Sequence, residues 1–81
     1  MDIETQKIYE SYFELFGSAG WKQFVEDLEQ SKEDFSNILA IKDAKELHKR
    51  QGMIEMLDTI INMPDMMEMA YTNAKEAGYD A

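Results

Sequence analysis

The chain contains few side chains that could act as a nucleophile or as a general base. It has no Cys, and its only imidazole is that of His48, which lies between Lys45 and Arg50 in a basic stretch. Hydroxyl groups are supplied by three Thr and by Ser11, Ser18, Ser31 and Ser36. Since no spacing in the sequence joins one of them to the imidazole, we expect no catalytic residue and no enzyme activity.

Carboxylates are abundant, but their spacing predicts a solvated helix face rather than a site. Glu26, Glu29 and Glu33 recur at helical intervals, as is common on acidic helices. Glu46 and His48 are two positions apart, whereas two metal ligands on one helix face need a separation of three or four. We therefore expect no metal, no cofactor and no small-molecule substrate.

Length and charge exclude further classes of protein. The 81 residues carry 17 Asp and Glu against 8 Lys and Arg, for a net charge of −9. This length fits one small helical domain spanning residues 1–81. A nucleic-acid-binding protein usually needs a basic face, so we expect no direct contact with nucleic acid. The chain begins without the features of a signal peptide and has no apolar run of about 20 residues, which predicts a protein that is neither secreted nor membrane-bound.

Apolar residues recur with the 3.6-residue period of an α-helix along most of the chain. The pattern predicts an all-α fold with an N-terminal amphipathic helix over residues 3–16. An antiparallel helical hairpin follows, formed by helices at about 18–38 and 43–63 around a turn near 37–42. Pro64 lacks an N–H group, so the third helix ends there and a short C-terminal helix follows it.

Polar residues at the predicted helix boundaries support these elements. Asp2 can cap the first helix, Gly17 can end it, and Ser18 can accept a hydrogen bond from the next one. Asp43, with Glu46 three positions later, matches a capping box at the third helix. The helix starts are therefore predicted from local side chains.

Two oppositely charged segments favour the antiparallel pairing of the hairpin. The acidic segment runs from Glu26 to Asp34, and the basic segment runs from Lys42 to Arg50. We expect the intervening turn to bring the two segments face to face. Each exposed ion pair contributes only about 0–1 kcal/mol, so their main effect is on orientation.

The predicted third helix has an apolar face about 180° wide, which a single neighbour does not cover. Four methionines and one isoleucine follow the alternating three-and-four spacing of a helix–helix seam, which covers only about two heptads and crosses Pro64, so a long coiled coil is excluded. They are Met53, Met56, Ile60, Met63 and Met67. Met fills irregular cores and also suits adaptable binding surfaces, so the spacing predicts either a core or a partner-binding face.

Two further features leave core and interface open as alternatives. Gly52 interrupts the third helix, either because glycine is tolerated there or because it makes room for the ring of Trp21 or Phe24. The first helix carries four aromatic rings, which form either a core or an arm that docks on a neighbour. They are Tyr9, Tyr12, Phe13 and Phe16. The candidate framework and interface residues are Phe16, Trp21, Phe24, Gly52, Met53, Met56, Ile60, Met63 and Met67.

Two short motifs stand out in the sequence. The first motif, LF…GWK, comprises Leu15, Phe16, Gly20, Trp21 and Lys22. The second motif, L…QG, comprises Leu47, Gln51 and Gly52. Together they resemble a pattern of small helical-hairpin proteins encoded by tailed bacteriophages, over roughly residues 9–72. Such proteins have no assigned function, so the resemblance implies a phage origin and a non-enzymatic role, with these residues as framework positions of the hairpin.

Two functions of different classes are consistent with these features. The first is a phage structural or assembly protein that acts through protein–protein contacts in or on the virion. Its partners would be other phage structural proteins or further copies of itself in a homo-oligomer, because the wide apolar face needs a cover. The second is a small acidic inhibitor of a host protein, for host takeover or counter-defence, which could imitate the phosphates of DNA. We expect the chain in the host cytoplasm during assembly, in the virion, or in both.

Overall fold

The computed structural model describes residues 1–37 and 41–77, and these residues form four α-helices and no strand. The helices are α1 (Ile3–Phe16), α2 (Ala19–Phe35), α3 (Ala44–Ile61) and α4 (Met63–Glu76). The predicted all-α fold is confirmed, with an antiparallel hairpin of α2 and α3 that one helix precedes and one follows in the sequence. Within the described ranges, no helix is both long and apolar enough to cross a lipid bilayer.

The ends of the hairpin helices differ slightly from the predicted ones. α2 ends at Phe35 and α3 ends at Ile61. α4 begins at Met63, one residue before Pro64 rather than after it. Proline fits there because the first turn of a helix contains N–H groups that have no partner within the helix. Part of the predicted turn, residues 38–40, lies outside the described residues.

Local hydrogen bonds cap the starts of α1 and α2. Asp2 caps α1 by accepting a hydrogen bond from the Thr5 N–H at 2.7 Å, and Ser18 Oγ accepts one from the Trp21 N–H at 3.1 Å. Both caps were predicted and both are confirmed. Gly17 directly follows α1 as its C-cap, and its φ of −85° and ψ of −6° lie in the right-handed helical region. The backbone therefore does not require glycine at this position.

The predicted capping box begins α3. Asp43 Oδ1 accepts a hydrogen bond from the Glu46 N–H at 2.8 Å. Glu46 Oε2 reaches back to the N–H of Lys42 at 3.2 Å, one residue earlier than the usual partner of such a box. These two carboxylates therefore bind free N–H groups at the start of the helix, where the helix dipole also favours negative charge.

The chain groups into two compact units. The first unit comprises Met1–Lys22 and the described part of Asn62–Ala81. In it α1 packs on α4 through aromatic rings, because the Tyr71 ring centroid lies 5.2 Å from that of Tyr9 and 5.4 Å from that of Phe13. The ammonium group of Lys75 lies 5.1 Å from the Tyr71 centroid, within cation–π range.

The second unit is the described part of Gln23–Ile61, which holds most of the hairpin. Phe35, at the end of α2, lines the same groove as Met53 of α3. Lys32, one turn earlier on α2, forms an ion pair of 2.6 Å with Asp58, further along α3. Moving back along α2 thus means moving forward along α3, as in an antiparallel pair. That the two units form a single domain stays a prediction.

The ion pairs of the hairpin are not the predicted ones. Lys32, from the acidic segment, pairs with Asp58, and Arg50, from the basic segment, pairs with Glu46 of its own helix at 3.2 Å. Across the described residues, no ion pair joins the acidic segment to the basic one. The predicted match of the two segments is therefore wrong, because the register of the hairpin places Asp58 rather than the basic segment beside Lys32.

Candidate interaction surfaces

Two of the predicted framework residues lie together in the first unit. The ring centroids of Phe16 and Trp21 are 4.9 Å apart with their planes tilted by 56°, and both side chains are half-buried. Offset and tilted ring pairs of this kind are favourable. The contact joins the end of α1 to the first turn of α2. Phe24 belongs to the second unit and is exposed.

Gly52 does not make room for a ring. A Cβ added at this position would meet no described atom within 4 Å, so the predicted close contact with the ring of Phe24, which lies in the same unit, is wrong. The position is exposed in the middle of α3. A glycine there is simply tolerated, which was the other alternative for this residue.

The predicted methionine seam is divided between two helices. Met53, Met56 and Ile60 lie on α3, whereas Met63 and Met67 lie on α4. The predicted pattern thus crosses the boundary between α3, which ends at Ile61, and α4, which begins at Met63, and that its five side chains form one interface stays a prediction. Met56 is 62% exposed and Met53 is also exposed, while Met63 and Met67 are half-buried in the first unit.

The exposed apolar residues of α4 are not among the predicted interface residues. Met66 is 57% exposed and Met69 is 66% exposed. Both lie on the side of α4 away from Tyr71, which contacts α1. Their separation of three residues is typical of one helix face, but the longer pattern through Met63 and Met67 was predicted as the interface instead.

α1 has one covered and one uncovered apolar side. The rings of Tyr9, Phe13 and Phe16 are half-buried. By contrast, three apolar side chains that follow one another at separations of four and three residues remain exposed. They are Ile8, Tyr12 and Leu15. Three of the four aromatic rings thus lie on the covered side of α1 and Tyr12 lies on the exposed side, while docking on a neighbour stays a prediction. This outcome follows from an apolar arc of about 160°, wider than one neighbouring helix covers.

No described side chain of this protein is buried. None of the large apolar side chains that the structure describes is fully covered, and ten of them are exposed. Burying a Leu or Met side chain fully contributes roughly 1.5–3 kcal/mol, so much of the available hydrophobic stabilisation is not realised within one copy of the chain.

The hydroxyl and imidazole groups are not assembled into a reactive site. Four of the seven Ser and Thr hydroxyls, in the helices or next to their ends, donate to a backbone carbonyl three or four residues earlier, as helical Ser and Thr often do. They are Ser11, Ser18, Ser36 and Thr59. His48 is exposed on α3, and among the residues that the structure describes no three metal-ligating groups converge.

A groove, the α3 groove, lies in the second unit between the end of α2 and the start of α3. It encloses about 440 Å³, with Phe35 and Met53 as its apolar wall. Its charged lining consists of Asp43, Lys45, Glu46, Lys49 and Arg50. Asp43 and Glu46 are engaged by the capping box and Glu46 also by Arg50. Lys45 and Lys49 are exposed and their ammonium groups form no ion pair with a described carboxylate.

The opposite charge is concentrated on the α2 acidic face, which consists of Glu26, Glu29 and Glu33. These three residues follow the helical repeat on the side of α2 away from the half-buried Leu28 and Phe35. All three are exposed, and within the described ranges none of their carboxylates forms an ion pair. The α2 acidic face thus carries charge that its own hairpin does not neutralise.

In comparisons with protein-family models, curated proteins and solved structures, the chain has no match. The resemblance to phage hairpin proteins therefore stays a prediction.

Proposed function

We propose that this chain is a non-enzymatic structural or assembly protein of a tailed bacteriophage, which acts through protein–protein contacts in or on the virion. Its partners are other structural proteins of the phage or further copies of itself, rather than nucleic acid, a membrane or a small-molecule substrate. It acts in the host cytoplasm during assembly, in the virion, or in both. The phage setting rests on the sequence resemblance alone.

One observation carries the interaction role. No described side chain is buried, and α1 and α4 each have an apolar side that is exposed to solvent. On α1 that side includes Ile8, which is 56% exposed, together with Tyr12 and Leu15. A protein partner that covers these side chains would supply the apolar burial that stabilises a small domain.

Quantitative mass spectrometry of purified virions and of assembly intermediates tests this function. We expect the chain in one or both preparations at a fixed ratio to the structural proteins. A double variant, Ile8→Glu with Leu15→Glu, should remain helical by circular dichroism and yet be depleted from the particles. Lys7→Glu is the matched control on the same helix, because its exposed side chain lies off the apolar side, and it should be retained. Absence of the wild-type chain from both preparations would exclude the proposal.

A second candidate function is supported by the α2 acidic face. Small acidic proteins can bind basic grooves by electrostatic attraction, and Glu26, Glu29 and Glu33 are not neutralised by ion pairs within the hairpin. In this case the chain inhibits a host protein. Affinity capture from host lysate at low salt should then retain one host protein, and Glu29→Gln with Glu33→Gln should release it. Retention that is insensitive to salt and to these substitutions would exclude an electrostatic inhibitor.

A further inference from the structure

We infer that α4 binds one Cu(I) ion through the thioether sulfurs of Met63, Met66 and Met67, which together form the methionine triad. The triad lies within the first two turns of α4 and wholly within the first unit. The expectation that the chain binds no metal rests on the spacing of imidazole and carboxylate groups, and a thioether is a different kind of ligand. The inference is independent of the proposed function, because it requires no contact with another protein.

Methionines are concentrated at the start of α4. Four of the seven methionines of the chain fall within residues 63–69. Met63 and Met67 are half-buried, as methionines that fill a core would be. Met66, however, is 57% exposed, and Met69 is 66% exposed. Core filling therefore does not explain why exposed thioethers lie beside half-buried ones on the same helix.

The register of α4 places the three side chains of the triad around one turn. Met66 and Met67 follow Met63 by three and by four residues, and residues at these separations are neighbours on a helix surface, with Cβ atoms about 5–6 Å apart. Long helical side chains point back over the preceding turn, so those of Met66 and Met67 extend toward Met63. Because a methionine side chain has three rotatable bonds, the three sulfurs can converge on one ion.

The ligand type selects the metal. Thioether sulfur is a soft ligand that favours Cu(I), whereas oxygen ligands suit magnesium, calcium and manganese. The chain has no Cys, so no thiolate competes with the triad for the ion. Among the residues that the structure describes, no three imidazole or carboxylate groups converge to form a rival site.

The surroundings of the triad admit an ion and tolerate its charge. Met66 is exposed, and the next residue on this side of α4 is the exposed Ala70, whose methyl group is too small to cover Met66 and Met67. The positive end of the helix dipole disfavours a cation at the start of α4. The carboxylate of Asp65, in the first turn, and the net charge of −9 oppose this effect.

Silver(I) is the probe for a first test with the full chain, because it is a soft monovalent ion like Cu(I) and is stable in air. Methionine methyl groups labelled with ¹³C are followed by NMR in a chloride-free buffer, and single Met→Leu variants assign the signals. We expect the three methyl signals of the triad to shift together and to reach their end point at one equivalent of Ag(I). The signals of Met53 and Met56, on α3, should stay in place up to that point.

Competition with bicinchoninate under anaerobic conditions measures the dissociation constant for Cu(I). Leucine has nearly the volume of methionine but no sulfur, so Met66→Leu removes one ligand and should preserve the helix, which circular dichroism checks. Changing a group that only orients a metal ligand typically costs 10–100-fold in affinity, so the loss of a ligand itself should raise the dissociation constant by at least about tenfold. Met63→Leu and Met67→Leu should have the same effect.

Met69→Leu is the matched control, because it removes an exposed thioether of the same helix that lies outside the triad. Its dissociation constant for Cu(I) should equal that of the wild type. The triple variant, with leucine at all three positions of the triad, should bind no Cu(I) in competition with bicinchoninate.

Three results would overturn the inference. The first is a titration in which one equivalent of Ag(I) shifts no methionine methyl signal. The second is binding that survives in the triple variant and is lost in His48→Gln, since the ion would then be held by the imidazole on α3. The third is an equal loss in Met66→Leu and Met69→Leu with none in Met63→Leu, because an exposed pair would then replace the triad. The presence of the chain in virions, which tests the proposed function, is a separate measurement.

Discussion

Replacing Gly52 with alanine should stabilise the chain, because the added Cβ meets no atom within 4 Å. No contact is gained or lost, so the effect is that of helix propensity alone. Glycine in a helix interior is about 0.8–1.0 kcal/mol less favourable than alanine. We therefore expect the free energy of unfolding to rise by about 0.8–1.0 kcal/mol, and the melting temperature to rise by about 4–8 °C for each kcal/mol.

Urea unfolding followed by circular dichroism at 222 nm, at one fixed protein concentration, measures this change. Gln51→Ala is the matched control, because it is the neighbouring exposed position of α3 and glutamine is already a good helix former. Its free energy of unfolding should change by less than about 0.5 kcal/mol. A loss of stability in Gly52→Ala would refute the reasoning, since it would mean that the space beside Gly52 is occupied after all.

Three further predictions concern local contacts. Ser18→Ala removes the hydrogen bond that Ser18 Oγ accepts from the Trp21 N–H and should lower the free energy of unfolding by about 0.5–2 kcal/mol. Ser18→Asp should retain most of the wild-type stability, and an equal loss in both variants would exclude a capping role. Tyr71→Ala removes two ring contacts with α1 and should cost about 1–3 kcal/mol in urea unfolding, with near-wild-type stability in Tyr71→Phe. The hydrogen bonds from Thr5 hold the pKa of the Asp2 carboxyl below its ordinary value of 3.8, so Asp2 stabilises the fold above that pH and less so as the pH falls through the lower folded pKa. The stability difference between wild type and Asp2→Ala should therefore be constant near neutral pH and shrink below pH 3.8, and a difference that grows in acid would contradict this assignment.

The helix starts could be predicted because the groups that form them are close in the sequence. Asp2 and Ser18 each receive a hydrogen bond from an N–H three residues later, and the same holds for Asp43. Such contacts depend on residue type and spacing alone. The apolar period of the helices is equally local, which is why the all-α fold could be predicted.

The surfaces could not be predicted in the same way, because they depend on which side of each helix a neighbour covers. The spacing from Met53 to Met67 is regular along the sequence, but one helix ends at Ile61 and the next begins at Met63. A regular spacing therefore does not by itself predict that all five side chains lie on one helix. The empty space beside Gly52 and the ion pair between Lys32 and Asp58 likewise depend on the register of two helices, which composition and period do not specify.

The exposure of the methionines makes the apolar faces sensitive to oxidants. Peroxide converts an accessible thioether into a polar sulfoxide, which methionine sulfoxide reductases can reverse. Met53, Met56, Met66 and Met69 are the exposed thioethers on α3 and α4, whereas Met63 and Met67 are half-buried. The first group therefore reacts before the second, and an exposed apolar face becomes one that water solvates, with no change of sequence.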